Sequence, residues 1–339
     1  MRDQVRIAVI GLGSVGQEVV RTLDRMQREG DSPCIISAVS DSQSALITQD
    51  GIDIIPMLAH KAKTGICGNI ALNSKDLVKD APYDILVETS LTNVDSAEPA
   101  TEYIKIALSR GAHVVTSNKG PIALHYKELL ALAKEHSVSL RYEATVAGAI
   151  PILHVLEHDL IGNKIHALYG VLNGTCNYIL TRMSEEGLTY LQALEEAKKL
   201  GYAEAEPSAD VKGTDAATKI VILANTIFGK SISLKDMEIT DSITGIEDVT
   251  DDALRLTSGH NSTIRLIGEI VPEQNIYRVS PRLLPKTHPL VVDGSLNAIT
   301  IKTDLAGDLT FIGKGAGSLE TASAIIGDIF YILKGMHWY

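Results

Sequence analysis

The feature that most constrains this chain stands at its start. An apolar run, Val5 to Ile10, passes straight into Gly11-Leu12-Gly13-Ser14-Val15-Gly16. Val15, Val19, Leu23 and Met26 then recur at helical spacing until Gly30. The pattern predicts a strand, a tight turn and a helix. Glycines spaced G-x-G-x-x-G in that context form a dinucleotide-binding turn. Gly11 permits the turn, Gly13 lets backbone approach a pyrophosphate, and Gly16 lets the helix pack against the strand. The first N–H groups of the helix, at Ser14 and Val15, offer donors and a partial positive charge to phosphates.

Strand and helix go on alternating through the first 150 residues. Strands are expected over 34–39, 83–87, 113–116 and 139–142, and helices over 102–110 and from after Pro121 to about His136. Such alternation predicts an α/β fold, a Rossmann-type, doubly wound parallel sheet. After Pro151 the rhythm changes. A strand over 165–171 precedes three helical stretches, 176–186, 189–200 and 214–228. Strands over 262–271, 276–284 and 298–303 follow without intervening helices. This half reads as α+β and mainly antiparallel. The expected organisation is a dinucleotide-binding domain over 1–150 and a substrate-binding and dimerisation domain over 151–308. A glycine-rich segment with a helix over 320–333, residues 309–339, is expected to return to the first domain.

Composition removes several classes of partner. With 31 basic and 42 acidic residues the net charge is −11, which repels phosphate backbones and argues against nucleic acid. No apolar run approaches the about 18–20 residues needed to span a bilayer. The N-terminus lacks the apolar stretch of a signal peptide. Cys34, Cys67 and Cys176 are scattered, as expected of reduced thiols in a cytoplasmic protein.

Three places carry candidate chemistry. Asp41 ends the second expected strand, where a carboxylate can accept hydrogen bonds from ribose hydroxyls and disfavour a 2′-phosphate. Neither Arg nor Lys stands beside it in sequence, which leans the reading to NAD over NADP; Ser40-Asp41-Ser42 is also ordinary turn chemistry. Lys119, with Thr89 and Ser90, follows strand ends at the carboxyl edge of the expected sheet, where open α/β sheets bind ligands. The richest segment is Gly201 to Lys219. A carboxylate-bearing loop with Glu204, Glu206 and Asp210 leads through Gly213 to Thr214, read as an N-cap, and into an apolar helix. Asp215 and Lys219 are four apart and share one helix face. The helix dipole and apolar surroundings disfavour the charged lysine and suit it to proton transfer, while Asp215 opposes them. A buried structural ion pair fits the same pattern.

With these residues in view, the chain resembles the homoserine dehydrogenase family along nearly its whole length. The resemblance includes the glycine turn, Thr116-Ser117-Asn118-Lys119-Gly120-Pro121, the stretch Tyr142 to Pro151, and Leu172-Asn173-Gly174-Thr175-Cys176-Asn177-Tyr178-Ile179-Leu180. It continues through the Gly201–Lys219 segment and Gly313–Gly317. Its most specific part is Pro207-x-x-Asp210-Val211-x-Gly213-x-Asp215-x-x-x-Lys219. The resemblance implies reversible, NAD(P)-dependent reduction of L-aspartate 4-semialdehyde to L-homoserine, in threonine, methionine and isoleucine biosynthesis. Lys219 would be the proton donor and Lys119 would assist. Glu204 and Asp215 would hold the substrate ammonium, and Asp210 would orient the lysines. Thr89, Gly201 and Gly315 would line the cofactor. Glu143 with the carbonyls of Val146, Gly148 and Ile150 resembles the family's structural, sodium-type site. A homodimer is expected.

Glu206 stands where the family pattern has a shorter polar residue. The chain ends soon after its last expected helix, so no appended regulatory domain and no threonine feedback are expected. His154 and His158 are four apart, but lack the glutamate of a zinc protease and read as structural. Two other readings remain: a two-domain dehydrogenase acting on aspartate, and a dinucleotide sensor without catalysis. Retention of both Lys119 and Lys219 speaks against the second.

Overall fold

Strands β1 (Val5–Ile10), β2 (Cys34–Ser40), β3 (Ala45–Ile47), β4 (Ile85–Glu88), β5 (His113–Thr116) and β6 (Leu140–Arg141) form one sheet in the order β3-β2-β1-β4-β5-β6. All neighbours are parallel except the short edge strand β3. The apolar runs are buried on both faces, as helix-covered parallel strands must be. The chain leaves β1 toward β2 on one side and later resumes at β4 on the other, so the strand order reverses beside β1. Open α/β sheets bind ligands at such a switch point. The register sharpens this: Ile10 is level with both Ser40 and Glu88, and Glu88 with Thr116. Gly11, Asp41, Thr89 and Ser117 therefore leave the sheet at one carboxyl edge.

The computed structural model describes residues 4–336 and divides into two units. The first runs to Gly148 and resumes at Gly317; the second is Ala149–Ala316. The return to the first unit therefore begins at 317, not at the expected 309. Asp308–Lys314 is a strand of the second sheet, paired with Leu296–Thr303 over seven positions from Leu296↔Lys314 to Lys302↔Asp308, and that ladder holds its backbone there. What does return is the helix Ser318–Gly335, whose Ala322, Ile325, Ile329, Ile332 and Leu333 are buried among Val5, Val19, Leu23 and Val115. Each buried Ile or Leu contributes roughly 1.5–3 kcal/mol, so this one face rivals the net stability of a domain, about 5–15 kcal/mol. Residues 42–82, left unassigned by periodicity, supply β3 and the helices Ile54–Thr64 and Ser74–Asp80.

In the second unit, β7 (Ile165–Val171), β8 (Ser262–Val271), β9 (Ile276–Pro285), β10 (Leu296–Thr303) and β11 (Asp308–Lys314) make an antiparallel sheet in the order β11-β10-β7-β8-β9. The helix Thr214–Phe228 lies close against it. A Cβ on Gly268 would come within 2.7 Å of Ile220, so the absent side chain in β8 is what admits the helix. The helices Gly174–Glu186 and Tyr190–Lys199 complete the expected trio.

Candidate active site

In the first unit the glycine turn has the predicted geometry, with its glycines doing different work. Gly11 has φ +89°, and a Cβ there would lie 2.4 Å from the Thr89 carbonyl oxygen. A Cβ on Gly16 would lie 2.2 Å from the Gly11 oxygen and 2.9 Å from Thr89 Oγ1. Gly16 thus packs on the turn and on the β4 exit rather than on β1. A Cβ on Gly13 meets nothing within 4 Å, so its backbone is open to approach, and the exposed Ser14 and half-buried Val15 open the helix behind it. Thr89 Oγ1 donates to the carbonyls of Ile10 and Gly11 at 2.9 Å each, tying β4 to the turn. Its hydroxyl shapes this floor.

Ser90 is set by a residue whose role the sequence reading missed. Glu88 is fully buried and accepts from Ser90 N–H at 2.9 Å, from the Ser90 hydroxyl, and from Thr116 Oγ1 at 3.0 Å. Burial pushes its carboxyl up, against the pull of these donors. Thr116 Oγ1 in turn accepts from Asn118 N–H, and the Asn118 side chain caps the helix Lys119–Glu135 by accepting from Gly120 N–H. Through this chain of contacts one carboxylate joins the β4 exit to the β5 exit, where half-buried Lys119 opens its helix. No spacing rule marks Glu88 as a link, because Thr116 reaches it from a neighbouring strand.

Asp41 corrects the sequence reading. It is only 7% exposed, and both carboxylate oxygens are taken by the protein. Oδ1 accepts from Gln43 N–H, Ser44 N–H and Ser44 Oγ, and Oδ2 from Lys61 Nζ at 2.6 Å and Cys67 N–H at 2.8 Å. Five donors exhaust a carboxylate's roughly four lone-pair sites, so the ribose role is displaced by a structural one. Lys61, twenty residues on, also overturns the expectation that no basic side chain lies near Asp41. The helix Ile54–Thr64 brings it there.

In the second unit Lys219 is 7% exposed on the apolar helix Thr214–Phe228. Its Nζ donates to Asp215 Oδ2 and to the Leu172 carbonyl, each at 2.7 Å. The cap of this helix is Gly213, in the left-handed region at φ 84°, and not Thr214. Asp210 joins the cluster through Asn173, whose Nδ2 donates to Asp210 Oδ1 at 2.7 Å and to Asp215 Oδ2 at 2.9 Å. Asn173 Oδ1 accepts from Cys176 N–H and so caps the helix Gly174–Glu186. An Asn just before Gly-Thr is a legible cap signal; its second task, joining two carboxylates, is not. Cys176 is buried beside them. Burial pushes its thiol well above the usual range, helped by Asp210 and Asp215, and Sγ donates to the Asp210 carbonyl.

Other expected residues lie elsewhere. Glu204 stands exposed on the loop between the helices Tyr190–Lys199 and Ser208–Val211, and Gly201 is exposed with φ 77°. Gly315 follows β11. Glu143 is buried in the turn Glu143–Thr145, its N–H donating to Asp328 at 2.9 Å, and Ala147 and Gly148 both have positive φ. Val146 and Gly148 belong to the first unit and Ile150 to the second, where its carbonyl accepts from Ile152 N–H. No cluster of three or more His, Cys, Asp or Glu side chains suited to a metal occurs among the described residues. Nor is any described helix long and apolar enough to cross a membrane.

Both parts of the chain match profiles of one family. Residues 11–143 match the family profile described as homoserine dehydrogenase, NAD binding domain, and residues 151–330 the one described as homoserine dehydrogenase. A homoserine dehydrogenase from Methanocaldococcus jannaschii is 41% identical over 335 residues, covering 96% of this chain and 98% of the relative. An NAD(+)-dependent homoserine dehydrogenase from Pseudomonas canavaninivorans is 34% identical, with 97% and 96% covered. A crystal structure from Archaeoglobus fulgidus, assigned to the same family, superposes with a TM-score of 0.90 at 43% identity, covering 97% of this chain and 99% of that one. A hyperthermophilic archaeal homoserine dehydrogenase in complex with NADPH superposes at 0.83 with 32% identity and 98% of both chains covered.

Proposed function

The chain belongs to the homoserine dehydrogenase family, oxidoreductases that use NAD(P), and we propose that Lys219 carries the proton in its reversible conversion of L-aspartate 4-semialdehyde to L-homoserine. The observation that carries this reading is the lysine's valence. An ammonium has three N–H donors; two of those of Lys219 go to Asp215 and Leu172. No described residue accepts the third, and we assign it to a substrate carbonyl oxygen. When bound, the nicotinamide supplies or takes up the hydride at the carbonyl carbon. Lys219 then protonates the alkoxide oxygen that develops, and in the reverse direction takes the proton from the homoserine hydroxyl.

Around that step the remaining residues take supporting roles. Asp215 fixes Lys219 and, with Glu204, attracts the substrate ammonium. Asp210 acts on the same cluster through Asn173. Lys119, at the carboxyl edge of the first unit's sheet, assists on the dinucleotide side. Gly11, Gly13, Ser14, Val15 and Gly16 hold the dinucleotide phosphates, with Thr89 and Ser90 as the floor. Glu143 and the carbonyls of Val146 and Gly148, all in the first unit, carry oxygen atoms of the kind that suit a hard cation of the sodium type in a structural role. Lys61 removes the ground for preferring NAD to NADP, and the ratio of the two reduction rates with homoserine decides between them. A cytoplasmic homodimer, paired through the second unit's antiparallel sheet, is the form in which we place the enzyme.

Lys219→Ala tests the central claim. Loss of a general acid lowers kcat by about 10²–10⁴-fold, while dinucleotide affinity stays near that of the wild type. Absorbance at 340 nm with homoserine reads the rate and a fluorescence titration reads the affinity. A near-wild-type kcat removes Lys219 from the mechanism, and reduction supported by aspartate instead of homoserine would move the enzyme to a different substrate.

A further inference from the structure

Glu88, the last residue of β4, is fully buried. Acidic side chains are almost never buried to that degree unless an opposite charge pairs with them. Yet among the described residues no cation pairs with Glu88. What surrounds it are hydrogen-bond donors. Ser90 N–H is a fixed donor to Oε1 at 2.9 Å, and the Ser90 hydroxyl donates to the same oxygen. Thr116 Oγ1 accepts from Asn118 N–H at 3.0 Å, so its own hydrogen is turned to Glu88 Oε2, also at 3.0 Å. An ionised carboxylate accepts and does not donate. This set of donors therefore holds Glu88 ionised against the cost of its burial. A negative charge is kept just beneath the carboxyl edge of the first unit's sheet, with hydrogen bonds but no protein counter-charge.

Its place in the sheet indicates which cation it serves. Glu88 is level with Ile10, the residue before the glycine turn, on one side and with Thr116 on the other. Beyond it the chain rises to the edge: Ser90 is half-buried, Leu91 is exposed, and Asn118 Nδ2 donates to the Leu91 carbonyl at 3.4 Å. In a doubly wound sheet the first half, β1 and β2, takes the adenosine side of a dinucleotide, and the second half, here β4 and β5, takes the nicotinamide side. An oxidised nicotinamide ring carries a positive charge; a reduced one is neutral. We propose that Glu88 is the counter-charge of the oxidised ring, acting from beneath Ser90 rather than by contact, and that it biases the enzyme toward the oxidised dinucleotide. This deepens the reading above, on which it rests. The substrate ammonium is the other cation of the reaction, but that reading already assigns it to Asp215 and Glu204.

Calorimetry of NAD⁺ and NADH binding without substrate tests this (or of the NADP pair, if the wild type turns NADP over faster). Glu88→Gln keeps the shape and removes the charge. The ratio of the two affinities is expected to move about tenfold toward NADH, about 1.4 kcal/mol. That is the scale of two unit charges roughly 10 Å apart at an effective dielectric of about 20. Lost packing or lost hydrogen bonds at the sheet edge would weaken both forms alike, so an unchanged ratio overturns the proposal. Glu88→Asp keeps the charge and is expected to hold the ratio near that of the wild type; a ratio that falls as far as in Glu88→Gln overturns it as well. If Glu88→Gln does not fold, Ser90→Ala decides. It removes one donor that keeps the carboxylate ionised and is expected to move the ratio the same way by a smaller factor, and no movement refutes the assignment. A rise in the homoserine KM of Glu88→Gln with the ratio intact would give the carboxylate to the substrate instead. Failure of the underlying reading shows separately, as a wild type that reduces neither dinucleotide with homoserine.

Discussion

Replacing Asp41 by Asn distinguishes a structural anchor from a ribose acceptor. The Asp41 carboxyl is lowered from 3.8 to about 2. Burial, the largest influence, raises it, but the hydrogen bond from Lys61 and those from Gln43 and Ser44 together more than offset that. A difference of this size corresponds to roughly 2 kcal/mol of preference for the folded, ionised form. Asn keeps an acceptor toward Gln43 and Ser44 but turns an NH₂ toward Lys61 Nζ and Cys67 N–H. Lys61 can shift fully to the Gly65 carbonyl, to which it already donates at 3.1 Å. The buried Cys67 amide loses its bond to the carboxylate and keeps only Ser44 Oγ. Adding about 1 kcal/mol for that, the substitution should cost roughly 3 kcal/mol. At about 2–4 °C per kcal/mol for a domain of this size, the Tm falls by roughly 6–12 °C at pH 7. Because the folded carboxyl is depressed, its stabilisation is fully present above 3.8 and is lost as the pH falls toward about 2. The gap between wild type and variant should hold from pH 7 to 5 and close below 4. Thermal melts by circular dichroism across that range, paired with NAD(P) titrations, give both readouts. A variant that melts with the wild type but binds dinucleotide far more weakly would refute the reasoning and restore the ribose role.

Three other outcomes are expected. Gly16→Ala forces a Cβ into the Gly11 backbone and should destabilise the first unit by about 1–3 kcal/mol. Gly13→Ala meets no protein atom and should leave the Tm almost unchanged while weakening dinucleotide binding about tenfold; similar melting losses for both variants would contradict the division of labour among the glycines. Light scattering on the eluted enzyme should give twice the chain mass, and a monomer would exclude the proposed dimer.

Local pattern determined a great deal here. The G-x-G-x-x-G turn, the strands at 5–10, 113–116, 165–171 and 262–271, and the Asp215–Lys219 pair are all written in short-range periodicity. Strands and helices bury their faces at intervals of two and 3.6 residues, and a sequence displays those intervals directly. Tertiary structure decided what depends on contacts distant in sequence. Asp308–Lys314 reads as a glycine-rich tail until β10 supplies its ladder. Asp41 reads as a ribose acceptor until the next helices bring Lys61 and the Cys67 amide onto it. Glu88 is inconspicuous until Thr116 arrives from the adjacent strand, and Asn173 is a helix cap until Asp210 and Asp215 fold onto its amide. A sequence names the hydrogen-bonding groups each residue carries; only the fold decides which of them are spent on the protein, as both oxygens of Asp41 and two N–H groups of Lys219 are.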